Sequence, residues 1–175
     1  MASSLKDKNF LAEKLYRIPY KGGLMSFIKW QDEFLTGVSQ IDAQHQQLIE
    51  TLNRLHVLLR NKNPSKEEID SVLNFLTQYT VDHFGTEEHL MKTTPGFPED
   101  LKERHFKQHR YFIDKVQEFR GVLEDYHQGQ NERRHVLDLF AFLSYWLCEH
   151  ILKIDKETAK YFQKPPEISI QAASA

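Results

Sequence analysis

The chain predicts an all-α fold, an antiparallel up-down-up-down four-helix bundle. Apolar residues recur with the 3.6-residue helical period in four successive segments, prolines and glycines fall between the segments, and nothing reads as a strand. Short connections between long helices force consecutive ones to pack antiparallel, which is the bundle topology. At 175 residues the chain is long enough to bury one hydrophobic core without disulfide or metal staples.

The first helix is expected over about residues 39–61, with Ile41, His45, Leu48, Leu52, Leu55 and Leu59 on one stripe. Pro64 interrupts it, and Ser65-x-x-Glu68 has the spacing of a capping box that restarts the chain as a second helix. That helix runs to about Met91 and lines up Ile69, Val72, Leu73, Leu76, Tyr79, His83 and Glu87. Thr94-Pro95-Gly96 breaks it, and Pro98 suits the first turn of a third helix. The third stripe holds Leu101, His105, His109, Phe112, Val116, Phe119 and Leu123. Gly129 marks a turn and Asn131 an N-cap. The fourth stripe then carries Val136, Leu139, Leu143, Leu147, His150 and Ile154 until Pro165-Pro166. The bundle domain is therefore expected over 27–163. Residues 1–26 read as an N-terminal extension with a short helix around Leu5 to Tyr16, part of which need not be native, since Met25 is an alternative start. Residues 164–175 read as a tail or a truncated linker.

Composition narrows the function classes. Twenty-three basic residues nearly balance twenty-five acidic ones, leaving no broad electrostatic footprint for nucleic acid or anionic lipid. One cysteine, Cys148, can make neither an internal disulfide nor a thiolate metal site, which fits a reducing compartment. No apolar run is long enough for a membrane span or a signal-peptide core, so a cytoplasmic protein is expected. Nine histidines are the compositional outlier.

Polar residues interrupt all four apolar stripes at positions facing the bundle axis: His45, then His83 and Glu87, then His105 and His109, then His150, with Asp155 just beyond. His83/Glu87 and His105/His109 are spaced i, i+4, which stacks each pair one turn apart on a single face. Unpartnered imidazoles and carboxylates in a core cost several kcal/mol each, so seven converging on one need compensation, and metal ions provide it. Seven ligands are too many for one tetrahedral zinc and fit two adjacent ions. By softness the donors suit iron, manganese or zinc alike. His150 and Asp155 lie about 140° apart round an α-helix, an offset that a carboxylate reaching sideways would satisfy.

His45, His83-Phe84-x-x-Glu87-Glu88, His105-x-x-x-His109 and Trp146-Leu147-x-x-His150-Ile151-x-x-x-Asp155 together resemble the hemerythrin family, in particular its bacterial members. The lead-in, Trp30 followed by Gly37-Val38-x-x-Ile41-Asp42-x-Gln44-His45, is similar too, and the likeness spans roughly residues 28–162. The resemblance implies a non-haem di-iron centre. His105, His109 and His150 would hold one iron and His45 and His83 the other, with Glu87, Asp155 and an oxo or hydroxo group bridging them. The second iron then has an open sixth position where O2 binds, and the family's role is reversible oxygen binding for transport, storage or delivery. Two alternatives stand beside it. One is an O2 or redox sensor attached to a signalling output, motivated by Pro165-Pro166, and the other is a di-iron enzyme scavenging peroxide or nitric oxide. An oxygen-consuming protein or a fused signalling domain is the implied partner.

A dry pocket would protect such a site, and Ile41, Ile49, Tyr79, Phe112, Ile113, Trp146 and Leu147 lie one turn from the proposed ligands. His56 and His89 read as rim or surface residues. Glu124-x-x-His127 and Glu132-x-x-His135 match the motif of ferritin-like sites, but they flank one turn instead of lying on separate core helices. Gly85 marks either a close helix approach or simple tolerance, and Glu88 points to solvent or to a ligand's outer nitrogen.

Overall fold

The computed structural model describes residues 27–60, 64–124 and 132–163. The expected extension over 1–26, the turn and cap at Gly129 and Asn131, His127 and the Pro165-Pro166 segment lie outside the described residues. A short 3-10 turn, Asp32–Phe34, precedes α1 (Ser39–Arg60), α2 (Lys66–Thr93) and α3 (Glu99–Glu124). The last helix comes in three parts: α4 (Glu132–Glu149), a π-helical turn (His150–Asp155) and α5 (Lys156–Phe162). Among the described residues there is no strand and no helix long and apolar enough to cross a membrane.

Each helix packs on its neighbours in the chain, and α1 closes the ring against α4. The apolar stripes meet inside, where Leu52, Leu55, Val72, Leu76, Phe112, Val136 and Leu139 are fully buried. Local chemistry sets the helix ends. The Ser65 hydroxyl accepts from Glu68 N at 3.2 Å while the Glu68 carboxylate accepts from Ser65 N at 2.8 Å, closing the expected capping box. After α2, Thr94 N still donates to Leu90 O, and Gly96 takes φ 69°, a left-handed conformation that releases the chain toward α3. Pro98 sits one residue before α3, where its carbonyl accepts from Lys102 N.

The segment before α1 is tied down by side chains. Asn53 bonds both the N–H and the C=O of Ile28 at 2.8 Å. The buried Asp42 carboxylate accepts from Thr36 N and Thr36 Oγ1 at 2.7 Å and from Gly37 N at 3.2 Å. Gly37 has φ 81°, and a Cβ there would meet the Gln163 amide, which donates to Thr36 O. The start of the described chain is thereby fastened to its end.

Candidate metal centre

All seven polar residues that interrupt the stripes are buried, none more than 1% exposed. α1 supplies His45, α2 His83 and Glu87, α3 His105 and His109, and the π-helical turn both His150 and Asp155. The last pair corrects the sequence expectation. Asp155 does not reach sideways across a 140° offset; the i→i+5 winding of the π turn places it above His150, with Nε2 to Oδ1 at 3.0 Å. Ile151, one α-helical turn after Leu147, is buried, while Ile154, which the expected stripe had placed inside, is only partly buried.

Two groups of donors form, each with its atoms within 4.8 Å of one another: Glu87 with His105, His109 and His150, and Glu87 with His45, His83 and Asp155. Glu87 belongs to both. Its Oε2 lies 3.4, 3.2 and 3.1 Å from the Nε2 atoms of His83, His105 and His109. Asp155 also divides itself, with Oδ2 3.0 Å from His45 Nε2 and Oδ1 facing His150 and His105.

Apart from Glu87 Oε2, which the Nε2 atoms of His105 and His109 meet in hydrogen bonds, these atoms crowd one another without satisfying one another. His45 Nε2, His83 Nε2, His150 Nε2, Glu87 Oε1 and both Asp155 oxygens have no hydrogen-bond partner despite contacts as short as 3.0 Å. Lone pairs that approach this closely yet are misaligned for hydrogen bonding suit a shared ion. The set contains nitrogen and oxygen only, which suits a first-row divalent metal and fits no thiolate site.

Three of the five histidines are oriented from behind. Gln44 Oε1 faces His83 Nδ1 at 3.1 Å while its amide nitrogen reaches Thr86 Oγ1, so His83 Nδ1 carries the proton and Nε2 faces the centre. Thr158 Oγ1 holds His105 Nδ1 at 3.0 Å, and Glu88 Oε1 lies 3.4 Å from His109 Nδ1. Rings add to this: Phe84 stacks on His109 at 3.8 Å, Trp146 on His150 at 4.1 Å and Tyr79 on His83 at 4.6 Å. Of the expected wall residues, Ile41, Ile49, Tyr79, Phe112, Trp146 and Leu147 are buried and Ile113 only partly. Glu88 is thus a partner of a candidate ligand. Gln44, Asp42 and Thr158 were not assigned from sequence, although the first two stand in the lead-in beside His45. Thr158 had no signal, because the π turn decides where it points.

Burial sets the protonation states. It pushes His45 down to about 4 and His83 down to about 3, and it holds His150 well below the usual range, so all three are neutral at pH 7 with a lone pair free. Burial also works to raise Glu87, but His83, His105 and the hydrogen bonds from His105 and His109 outweigh it and keep the carboxylate ionised. Asp155, raised by burial and by the Glu87 charge, sits well above the usual carboxylate range. Two carboxylates that cannot both ionise in the dry core make a site that favours added positive charge.

The other described histidines lie away from the centre. His89 is exposed, His56 is half-buried between Phe27 and Phe140, and His135 is half-buried on α4. Gly85 faces open space, so it marks tolerance and no close approach.

A helical bundle whose core presents imidazoles and carboxylates from all four helices is a metal-binding bundle of the nitrogen-and-oxygen class. The chain belongs to the hemerythrin family: the model of the hemerythrin HHE cation binding domain matches residues 36–162. It is 33% identical to bacteriohemerythrin of Stenotrophomonas maltophilia over 77% of this chain and 81% of that one. With the Clostridium acetobutylicum bacteriohemerythrin it shares 31% identity, covering 73% of this chain and 95% of the relative. The similarity extends to myohemerythrin of Riftia pachyptila, 29% identical over 72% of this chain and 86% of that protein.

Proposed function

We propose that the chain binds O2 reversibly at a non-haem di-iron centre held by His45, His83, Glu87, His105, His109, His150 and Asp155. The observation that carries this reading is the pair of unequal donor groups sharing Glu87, one with three histidines and the other with two. Asp155 directs one oxygen at each group, the disposition of a bridging carboxylate. On the His45 and His83 side the protein offers two nitrogens and two carboxylates, which leaves room for an exogenous ligand. Ferrous ions held there would supply the electrons that make O2 binding reversible.

The chain's own residues do the rest. Histidines kept neutral by burial are ready to ligate without first losing a proton. Gln44, Thr158 and Glu88 fix which nitrogen faces inward, and the rings of Tyr79, Phe84, Phe112 and Trp146 exclude water. A carrier is favoured over an enzyme by the donor set, five imidazoles against two carboxylates, because few anionic ligands stabilise high-valent iron poorly. A cytoplasmic location, with delivery of O2 to an oxygen-consuming protein, belongs to the same reading. It is supported by a lone buried cysteine, Cys148, whose thiol burial pushes up to about 11.

The test is spectroscopic. Iron-loaded protein, reduced without air, should gain a visible charge-transfer band on exposure to O2 and lose it on degassing. A band that does not revert, or metal analysis finding one zinc per chain, would sink the reading. Glu87→Ala should cut the iron content from two per chain to one or none with helical circular dichroism retained; full retention would remove Glu87 from the ligand set.

A further inference from the structure

Among the described residues, Tyr79 carries a buried hydroxyl beside the centre that neither ligates nor orients a ligand. Its side chain is 4% exposed, and its Oη has no hydrogen-bond partner among the described residues. It precedes His83 by one turn of α2, and its ring lies over that imidazole, centroids 4.6 Å apart and planes at 26°. Phe75, Phe84 and Phe112 surround the rest of the ring, so apolar packing fixes its plane and offers the hydroxyl nothing to bond. An orphaned buried donor costs about 1–3 kcal/mol, a cost that a sequence-tolerant phenylalanine would avoid. Trp146 Nε1 is orphaned too, but its ring covers His150 in the three-histidine group, whereas Tyr79 covers the side with two.

We propose that the Tyr79 hydroxyl donates a hydrogen bond to the small exogenous ligand bound on the His45 and His83 side, and so sets how long that ligand stays. Tyr79 is in this sense a specificity residue: it favours ligands presenting a lone pair or negative charge at the outer atom over apolar diatomics of the same size. The inference rests on the open position assigned above.

Azide is the probe, added to the oxidised, iron-loaded protein and followed by its visible band. Tyr79→Phe should release azide about tenfold faster, the loss expected for one hydrogen bond, with the association rate little changed. The slowing of azide release in D2O seen with the parent protein should shrink in the variant. In the metal-free chain, Tyr79→Phe should melt at the same temperature as the parent or higher, because no protein bond is lost. Equal release rates and isotope effects in parent and variant would overturn the proposal and leave the open position standing. A variant that melts lower when metal-free, or fails to load iron, would overturn it by assigning the hydroxyl to structure. Failure of the parent itself to bind azide would overturn the open position and this proposal with it.

Discussion

At the scale of single residues, the consequential side chains beyond the centre are polar ones engaged in holding backbone or imidazole in place. Asp42 gathers three donors from Thr36 and Gly37 in a buried pocket. Asp42→Ala would strand those donors and should destabilise the protein by about 2 kcal/mol. A urea midpoint lowered at unchanged slope is the expected signature; an unchanged midpoint would mean that the loop does not need its clamp. Gly85 predicts the opposite sign. It stands mid-helix between His83 and Glu87, and a Cβ there meets nothing within 4 Å. Gly85→Ala should therefore stabilise by about 0.5–1 kcal/mol through helix propensity alone, read as a raised melting midpoint with iron content intact.

At the scale of the element, the π-helical turn decides whether the fourth helix can contribute two donors. An α-helix would carry Asp155 away from His150, and the inserted residue returns it to the same face and turns Thr158 toward His105. Deleting the exposed Lys153 should let the turn relax to α-helix with His150 and Asp155 spaced i, i+4 on one face, leaving helical content nearly unchanged and Asp155 at the centre. Iron should stay at two per chain, and a fall to one or none would show that the π winding itself, beyond the spacing it compensates, is needed to place Asp155. The flanking elements are less delicate. Their caps, such as the Ser65 and Glu68 box, act locally and carry no part of the site.

At the scale of the whole molecule, the bundle gathers buried polar groups into a core that is stable only on certain terms. An unfolded histidine takes up a proton near pH 6.5, whereas folded, metal-free His45 waits until about 4 and His83 until about 3. Below 6.5 the unfolded chain thus binds more protons, so this part of the stability is present above pH 6.5 and is lost as the pH falls through about 4 and 3. Asp155, raised by burial, works in the other sense, its contribution lost as the pH rises through its elevated value. The histidines dominate in number, so the urea midpoint of metal-free protein should fall steadily from pH 7 to pH 4. A flat profile would mean that the imidazoles are solvated in the metal-free chain. Metal should raise the melting midpoint by roughly 10 °C when its concentration far exceeds its dissociation constant, and chelation should reverse the gain.

The four helices, their stripes and their breaks were legible in the chain, because helical periodicity and capping are local properties that 3.6-residue spacing and Ser65-x-x-Glu68 display openly. The seven polar interruptions were legible for the same reason: a histidine at a core position is conspicuous wherever the stripe around it is apolar. The relation of His150 to Asp155 was not legible. Spacing implied an α-helical offset, while the structure inserts a π turn, since winding at one position answers to packing against α1 and α3 and not to the local sequence. The outer partners Gln44 and Thr158, and the orphaned hydroxyl of Tyr79, were likewise beyond it, because a hydrogen bond across helices depends on distances that only the assembled bundle sets. The sequence alone thus determined most of the buried stripe residues and which of those carry donor atoms. Tertiary structure decided how two carboxylates divide themselves between three histidines and two, because that division depends on the relative rotation of four helices, which no single helix encodes.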